Sequence, residues 1–74
     1  MAGGDRWEYM WIACRSEDGV EVVYRVNGDD LAETQRQKTG HFLQAAGAGG
    51  WELVGVADHA VQSSTSLWFK RPAT

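Results

Sequence analysis

Residues 7–14 alternate between two sets of side chains, which is the pattern of a β-strand. One set is Trp7, Tyr9, Trp11 and Ala13, and the other is Glu8, Met10, Ile12 and Cys14. Both sets are mostly apolar, whereas a strand with one face in water has a polar set. The pattern therefore predicts a strand with a covering layer on each side.

A second strand follows a short polar turn. Residues 16–19 combine Ser, Glu, Asp and Gly, and Gly19 suits a position with positive φ. Residues 20–26 are rich in β-branched side chains, which favour extended backbone. Together the two strands are predicted to form a hairpin.

A helix is predicted over residues 31–46. Asp30 is placed as its N-cap, with Glu33 three residues later as the partner in a capping box. The second half has an apolar face that includes Phe42, Leu43 and Ala46.

The first half of this helix is polar nearly all round and contains Gly40, which costs roughly 1 kcal/mol relative to Ala. We therefore expect its first turns to fray or to project into solvent. Gly47 is predicted as the C′ residue that ends the helix.

Two more strands complete the pattern. Residues 51–57 are predicted as a strand with Trp51, Leu53, Gly55 and Ala57 on one face and Glu52, Val54 and Val56 on the other. Residues 58–66 are predicted as a polar loop, and residues 67–71 as the last strand, closed by Pro72.

The element order β-β-α-β-β predicts an α+β fold of two layers, with an antiparallel sheet of about four strands and one helix on one face. One helix covers one face only, although the first and third strands are apolar on both. We expect a second copy of the chain to cover the other face.

Size and charge narrow the function classes. The chain has 74 residues, a single cysteine and a net charge of −3 from 7 basic and 10 acidic residues. So small a domain without a disulfide is marginal alone, which favours a homodimer or higher oligomer. The acidic balance disfavours nucleic acid as a partner.

The remaining composition predicts a cytoplasmic protein that does not bind membranes. No run approaches the ~20 apolar residues of a membrane span, and no secretory signal follows Met1. Residues 1–5 are expected to be a flexible leader, and residues 6–74 a single α+β domain.

Three short motifs stand in order along the chain: W-E-Y at residues 7–9, G-W-E-L-V at 50–54 and F-K-R-P at 69–72. In these the chain resembles a small, uncharacterised bacterial family, domain of unknown function 4177. The segment over residues 16–30 is longer than in typical members. The resemblance implies a small, often self-associating α+β domain and brings no catalytic residues with it.

The charged residues of these motifs are candidates for a site. Glu8, Glu52 and Arg71 could form a polar cluster that holds a ligand. Alternatively they form cross-strand ion pairs, each worth a few tenths to ~1 kcal/mol. Acid–base catalysis by a pair of carboxylates would need one of them to be desolvated, with a raised pKa. Nothing in the sequence indicates such a carboxyl, so this catalysis is not predicted.

Four tryptophans are many for so short a chain. Trp51 is expected to pack against the helix. Trp11 and Trp68 are candidates for an interface or a pocket, since aromatic residues are enriched at both.

The sequence predicts no catalytic residue, metal or cofactor. Cys14, His41, Asp58 and His59 match no zinc spacing, and Cys14 has the strand pattern of a buried thiol. The glycines at 47–50 follow a helix, whereas a phosphate loop precedes one, so phosphate binding there is excluded.

We therefore expect a non-enzymatic, self-associating module that binds a partner protein or assembles a complex through the helix-free sheet face. The contact is expected from Met10, Ile12, Val54 and Val56 or from Trp11 and Trp68, depending on which face the helix covers. The alternative is a small-ligand-binding protein, with a Trp/Tyr-lined pocket between helix and sheet or between subunits. A small enzyme that uses Glu8, Glu52 or Arg71 is a third possibility.

Overall fold

A computed structural model describes residues 6–73, and the predicted leader at residues 1–5 lies outside this range. One helix and five strands form the fold: β1 Trp7–Glu17, β2 Val20–Val26, β3 Asp29–Asp30, α1 Thr39–Ala48, β4 Glu52–His59 and β5 Ser64–Pro72. The strands form one antiparallel sheet in the order β3-β2-β1-β5-β4. The predicted α+β class is confirmed, with a two-residue fifth strand that the sequence pattern did not indicate.

The hydrophobic core lies between α1 and one face of the sheet. It consists of Met10, Ile12 and Cys14 from β1, Val23 from β2, Leu67 and Phe69 from β5, and Ala46 from α1. Phe42 adds an aromatic contact to Phe69, with ring centroids 6.5 Å apart. The helix therefore covers the Met10 side of β1, and within residues 6–73 no helix covers the side with Trp7, Tyr9 and Trp11.

The chain turns back on itself at Asn27–Gly28, where a helix was predicted to start. Both residues have positive φ, 52° and 89°, which is the conformation of a tight hairpin turn that matches strand twist. Asp30 is consequently in β3, where its carboxylate accepts a 2.6 Å hydrogen bond from Arg25 Nε. That bond holds the pKa of the Asp30 carboxyl below its ordinary value. The predicted capping box of Asp30 and Glu33 is wrong.

The polar half of the predicted helix is an extended connection along β2. It contains a single 3₁₀ turn at Glu33–Gln35, and the Gln37 carbonyl then accepts a 2.9 Å hydrogen bond from the Val23 N–H. Pairing with β2 gives this segment backbone hydrogen bonds to the sheet, whereas polar helical turns would have no apolar face to pack against it. The helix begins at Thr39, eight residues later than predicted.

The helix ends in a Schellman motif three residues beyond the predicted position. Gly50 has φ +87°, its N–H donates to the Gly47 carbonyl, and the Trp51 N–H donates to the Ala46 carbonyl, both at 3.0 Å. The motif brings Trp51 against the core beside Ala46. The expected packing of Trp51 against the helix is confirmed.

A β-bulge in β4 changes which side chains share a face. Leu53 pairs with Phe69, but the next pair is Gly55 with Trp68, so Val54 is an extra residue. Val56, opposite Leu67, then lies on the helix side together with Leu53. The predicted grouping of Leu53 with Gly55 and of Val54 with Val56 is wrong, because the bulge interrupts the two-residue period.

The segment predicted as a loop at residues 58–66 is mostly hairpin. β4 extends to His59 and β5 starts at Ser64, joined by a 3₁₀ turn at Ala60–Gln62. Two side-chain hydrogen bonds cross the hairpin: Thr65 Oγ1 to Asp58 at 2.9 Å, and His59 Nε2 with Ser66 Oγ at 3.0 Å. These polar residues bond to each other across strands, which their composition alone does not reveal.

Substituting the two glycines at the helix end should have opposite effects on stability. Gly50→Ala forces a side chain into positive φ and should lower the free energy of unfolding by about 1–2 kcal/mol. Gly47→Ala, at a helical position with open space around its Cβ, should raise it by up to about 1 kcal/mol. Urea denaturation measures both, and equal effects would contradict the assigned helix end.

Candidate functional site

Aromatic side chains dominate the sheet face opposite α1, which we call the open face. Trp7, Tyr9 and Trp11 lie on it from β1, and Trp68 lies on it from β5, directly opposite Trp11. Tyr9 is 69% exposed, Trp7 41% and Trp68 39%, whereas Trp11 is more buried. These four side chains are referred to as the aromatic patch.

Glycines next to two of the rings shape the aromatic patch. A Cβ on Gly28 would lie 3.4 Å from Cζ2 of Trp11, so the β2–β3 turn packs closely against that ring. The backbone N–H of Trp11 also donates a 3.0 Å hydrogen bond to Oδ1 of Asn27. On the other side, Gly55 lies beside Trp68 without a side chain to cover it, its hypothetical Cβ 3.7 Å from the indole.

Two charged side chains accompany the aromatic patch. Lys70 Nζ lies 4.1 Å from the centroid of the Trp7 ring, in cation–π geometry. Glu52 is the register partner of Lys70 on β4 and lies exposed on the same face. Among residues 6–73, Glu52 has no ion-pair partner within 4.0 Å. The patch thus has one cation and one carboxylate on neighbouring strands.

The other end of the open face is polar. Tyr24 is buried between two guanidinium groups, with Arg15 4.3 Å and Arg25 5.2 Å from its ring centroid. Each arginine also has a carboxylate partner, Glu17 at 2.9 Å and Asp30 at 2.6 Å. Glu17 is also bonded by Arg36, whose Nη1 lies 2.6 Å from it, so three arginines are paired with two carboxylates at this end of the sheet.

The three sequence motifs meet on the helix side of the sheet, at Arg71. Its Nε donates to Glu8 at 2.7 Å, its Nη1 donates to the Gly49 carbonyl at 3.0 Å, and its guanidinium lies 4.2 Å from the centroid of the Trp51 ring. We call Glu8, Gly49, Trp51 and Arg71 the Arg71 cluster. Gly49 is the last cap residue of α1, so the cation also meets the negative end of the helix dipole.

The structure separates the predicted site residues into two groups. Glu8 and Arg71 are together in the Arg71 cluster on the helix side. Trp11 and Trp68 form a cross-strand pair on the open face, where Glu52 also lies, so Glu52 is not in the cluster with Glu8 and Arg71.

Sequence reasoning did not single out three members of the open face: Trp7, Tyr9 and Lys70. The alternation of residues 7–14 already put Trp7 and Tyr9 on the same side as Trp11. Lys70 could be added only from the β1–β5 register, in which it pairs with Tyr9.

The remaining reactive groups form no site of their own. Burial raises the pKa of the Cys14 thiol, so this thiol is protonated and unreactive at neutral pH. The Thr39 hydroxyl nearby tempers the rise, although it makes no hydrogen bond of normal geometry. Residues 6–73 contain neither a cavity nor a cluster of three or more His, Cys, Asp or Glu side chains suited to a metal ion.

Comparisons of the chain with protein-family models, with curated proteins and with solved structures each found no match. Within the described residues, no helix has the length and apolar character needed to cross a bilayer.

Removing the Arg71 side-chain charge should cost more stability than removing either glutamate charge. Arg71→Gln loses the ion pair, the bond to the helix end and the stacking on Trp51, and should lower the free energy of unfolding by about 2 kcal/mol. Glu8→Gln should cost less than about 1 kcal/mol, because the pair is partly exposed.

Glu52→Gln is the matched control for Glu8→Gln. It should change the free energy of unfolding by less than about 0.5 kcal/mol, since Glu52 is exposed and outside the Arg71 cluster. Chemical denaturation of the three variants tests the assignment. A loss at Glu52 as large as that at Arg71 would contradict it.

Proposed function

We propose that this protein is a non-enzymatic, self-associating module, and that a second copy of the chain covers the aromatic patch. The observation that carries the proposal is the exposure of Trp7, Tyr9 and Trp68 on a sheet face that has no helix over it. Tryptophan and tyrosine are enriched in protein interfaces, where a large rigid ring is buried at little entropic cost.

The size of the patch supports an interface. With 150–250 Å² for each large aromatic side chain, the exposed parts of these three rings amount to an apolar area on the order of 300 Å². Patches of this size on small proteins are often functional. A standard interface buries about 800 Å² per partner, so the aromatic patch forms its centre and the surrounding polar residues form its rim.

The charges of the patch are compatible with two identical surfaces meeting. Lys70 and Glu52 are neighbours on the open face, one of each sign. In a two-fold contact every residue of one copy can meet a different residue of the other, so Lys70 of one copy can meet Glu52 of the second. Such pairs select orientation more than they add affinity.

Marginal stability gives self-association a physical role. Few side chains of this 74-residue chain are fully buried, the largest being Ile12, Val23 and Cys14. Burying the aromatic patch adds apolar area that the monomer cannot cover by itself.

Membership of the domain of unknown function 4177 family and a cytoplasmic location belong to the same proposal. The Arg71 cluster supports the first, because it gives residues of all three motifs one shared structural position. Cys14 is free and buried, which fits a reducing compartment. Nothing in the geometry of residues 6–73 favours the small-ligand alternative, which stays a prediction.

Assembly through the aromatic patch should be visible in tryptophan fluorescence. As concentration rises through the micromolar range, burial of Trp7 and Trp68 should shift emission to shorter wavelength while light scattering reports a mass above that of the monomer. Tyr9→Glu should weaken this step by at least about tenfold in dissociation constant, because it puts a carboxylate in the centre of the contact.

Val61→Glu is the control, because Val61 is fully exposed and lies on the hairpin turn, outside the patch. It should leave both signals unchanged. A wild-type protein that stays monomeric, or an emission maximum independent of concentration, refutes assembly through this face.

A further inference from the structure

The two edges of the sheet differ in their capacity to accept another strand. One edge is β3, which has two residues, both aspartates. The other is β4, which has eight residues and pairs only with β5 among the described strands. An unpaired edge presents a row of backbone donors and acceptors to any strand that approaches it. β4 is therefore the edge where the sheet can grow.

The middle of β4, between Glu52 and Asp58, has no charged side chain to protect this edge. Leu53, Val54 and Val56 are exposed, Val56 by 60%, and β4 contains no lysine, arginine or proline. Natural edge strands are usually kept apart by such residues, by bulges or by a covering element. β4 has the bulge at Val54 and one carboxylate toward each end, Glu52 and Asp58, and α1 leaves Leu53 and Val56 uncovered.

We propose that β4 pairs with β4 of a second copy, antiparallel and about a two-fold axis at Val56. In this register Gly55 lies opposite Ala57 of the second copy, and both belong to the open face. The two Val56 side chains meet on the helix side. The register keeps helix-side residues opposite helix-side residues, as an antiparallel pair requires, and the axis at Val56 puts the most exposed large apolar side chain of β4 at the centre of the contact.

The ends of β4 fit the same alignment. With Val54 left outside the ladder, as it is toward β5, Leu53 lies opposite Asp58 and Glu52 opposite His59 of the second copy. No two carboxylates then lie opposite each other, and Glu52 lies opposite the imidazole of His59. The contact therefore satisfies backbone groups and joins two exposed apolar strips without like-charge repulsion.

This inference goes beyond the proposed function because the β4 contact uses neither Trp7, Tyr9, Trp11 nor Trp68. Both contacts are isologous, so a chain that makes both forms assemblies larger than a dimer. The two contacts share Glu52 at their rims, but Val56 belongs only to the β4 contact and Tyr9 only to the aromatic patch, so each contact can be weakened at a residue that the other does not use.

Cysteine trapping tests the alignment. Residues directly opposite in an antiparallel pair have Cα atoms roughly 4.5–5.5 Å apart, within the range that a disulfide spans. Val56→Cys should therefore give a disulfide-linked dimer under mild oxidation, seen on a non-reducing gel. It should form at least about tenfold faster than with Val61→Cys, a fully exposed position outside the proposed contact. Wild-type protein serves as the blank, because Cys14 is buried.

Two further variants separate this contact from the aromatic patch. Tyr9→Glu combined with Val56→Cys should cross-link as fast as Val56→Cys alone. Val56→Lys should lower the mass measured by light scattering while leaving the concentration-dependent tryptophan shift in place. A rate for Val56→Cys no faster than that for Val61→Cys, or an unchanged mass with Val56→Lys, overturns the β4 contact.

Discussion

The guanidinium of Arg71 holds together the three parts of the fold that are farthest apart in sequence. It reaches Glu8 at the start of β1, the carbonyl of Gly49 at the end of α1 and the ring of Trp51 before β4, all from the last strand. A planar guanidinium with several N–H donors suits this position, since its edge donates hydrogen bonds to two different groups while its face stacks on an aromatic ring. This contact joins the end of α1 to the first and last strands on the side of the sheet where the hydrophobic core lies.

Local signals predicted much of the fold. The alternation of residues 7–14 located β1 and its two faces, and the Asp18–Gly19 turn located the first hairpin, where both residues have positive φ. The same chemistry at Asn27–Gly28 was interpreted as a helix start because aspartates follow it. A polar segment after a turn is compatible with a helix or with an extended connection, and only pairing with β2 decides between them.

The candidate site was predictable to the extent that it depends on one strand. Trp11 could be placed with Trp7 and Tyr9 from the sequence alone, but its neighbour across the sheet depends on the β1–β5 register. Glu52 shows where prediction from one strand fails. Its motif suggested a place beside Glu8, but Glu52 pairs with Lys70 and lies on the opposite face of the sheet. The cause is the bulge at Val54, which reverses the facing of the β4 residues that precede it. Neither the register nor the position of the bulge can be read from the pattern of apolar residues in the sequence.

The two aspartates of β3 have a consequence for how far such a sheet can extend. β3 is the outer strand on the side away from β4, and its backbone is flanked by Asp29 and Asp30. When two sheets join through β4 as proposed, both outer edges of the ten-stranded product are β3. β3 offers a ladder of only two residues, both charged, and a short, charged edge strand is a poor template for a further chain. In the proposed contact, growth of the sheet by strand addition is therefore expected to stop at two chains.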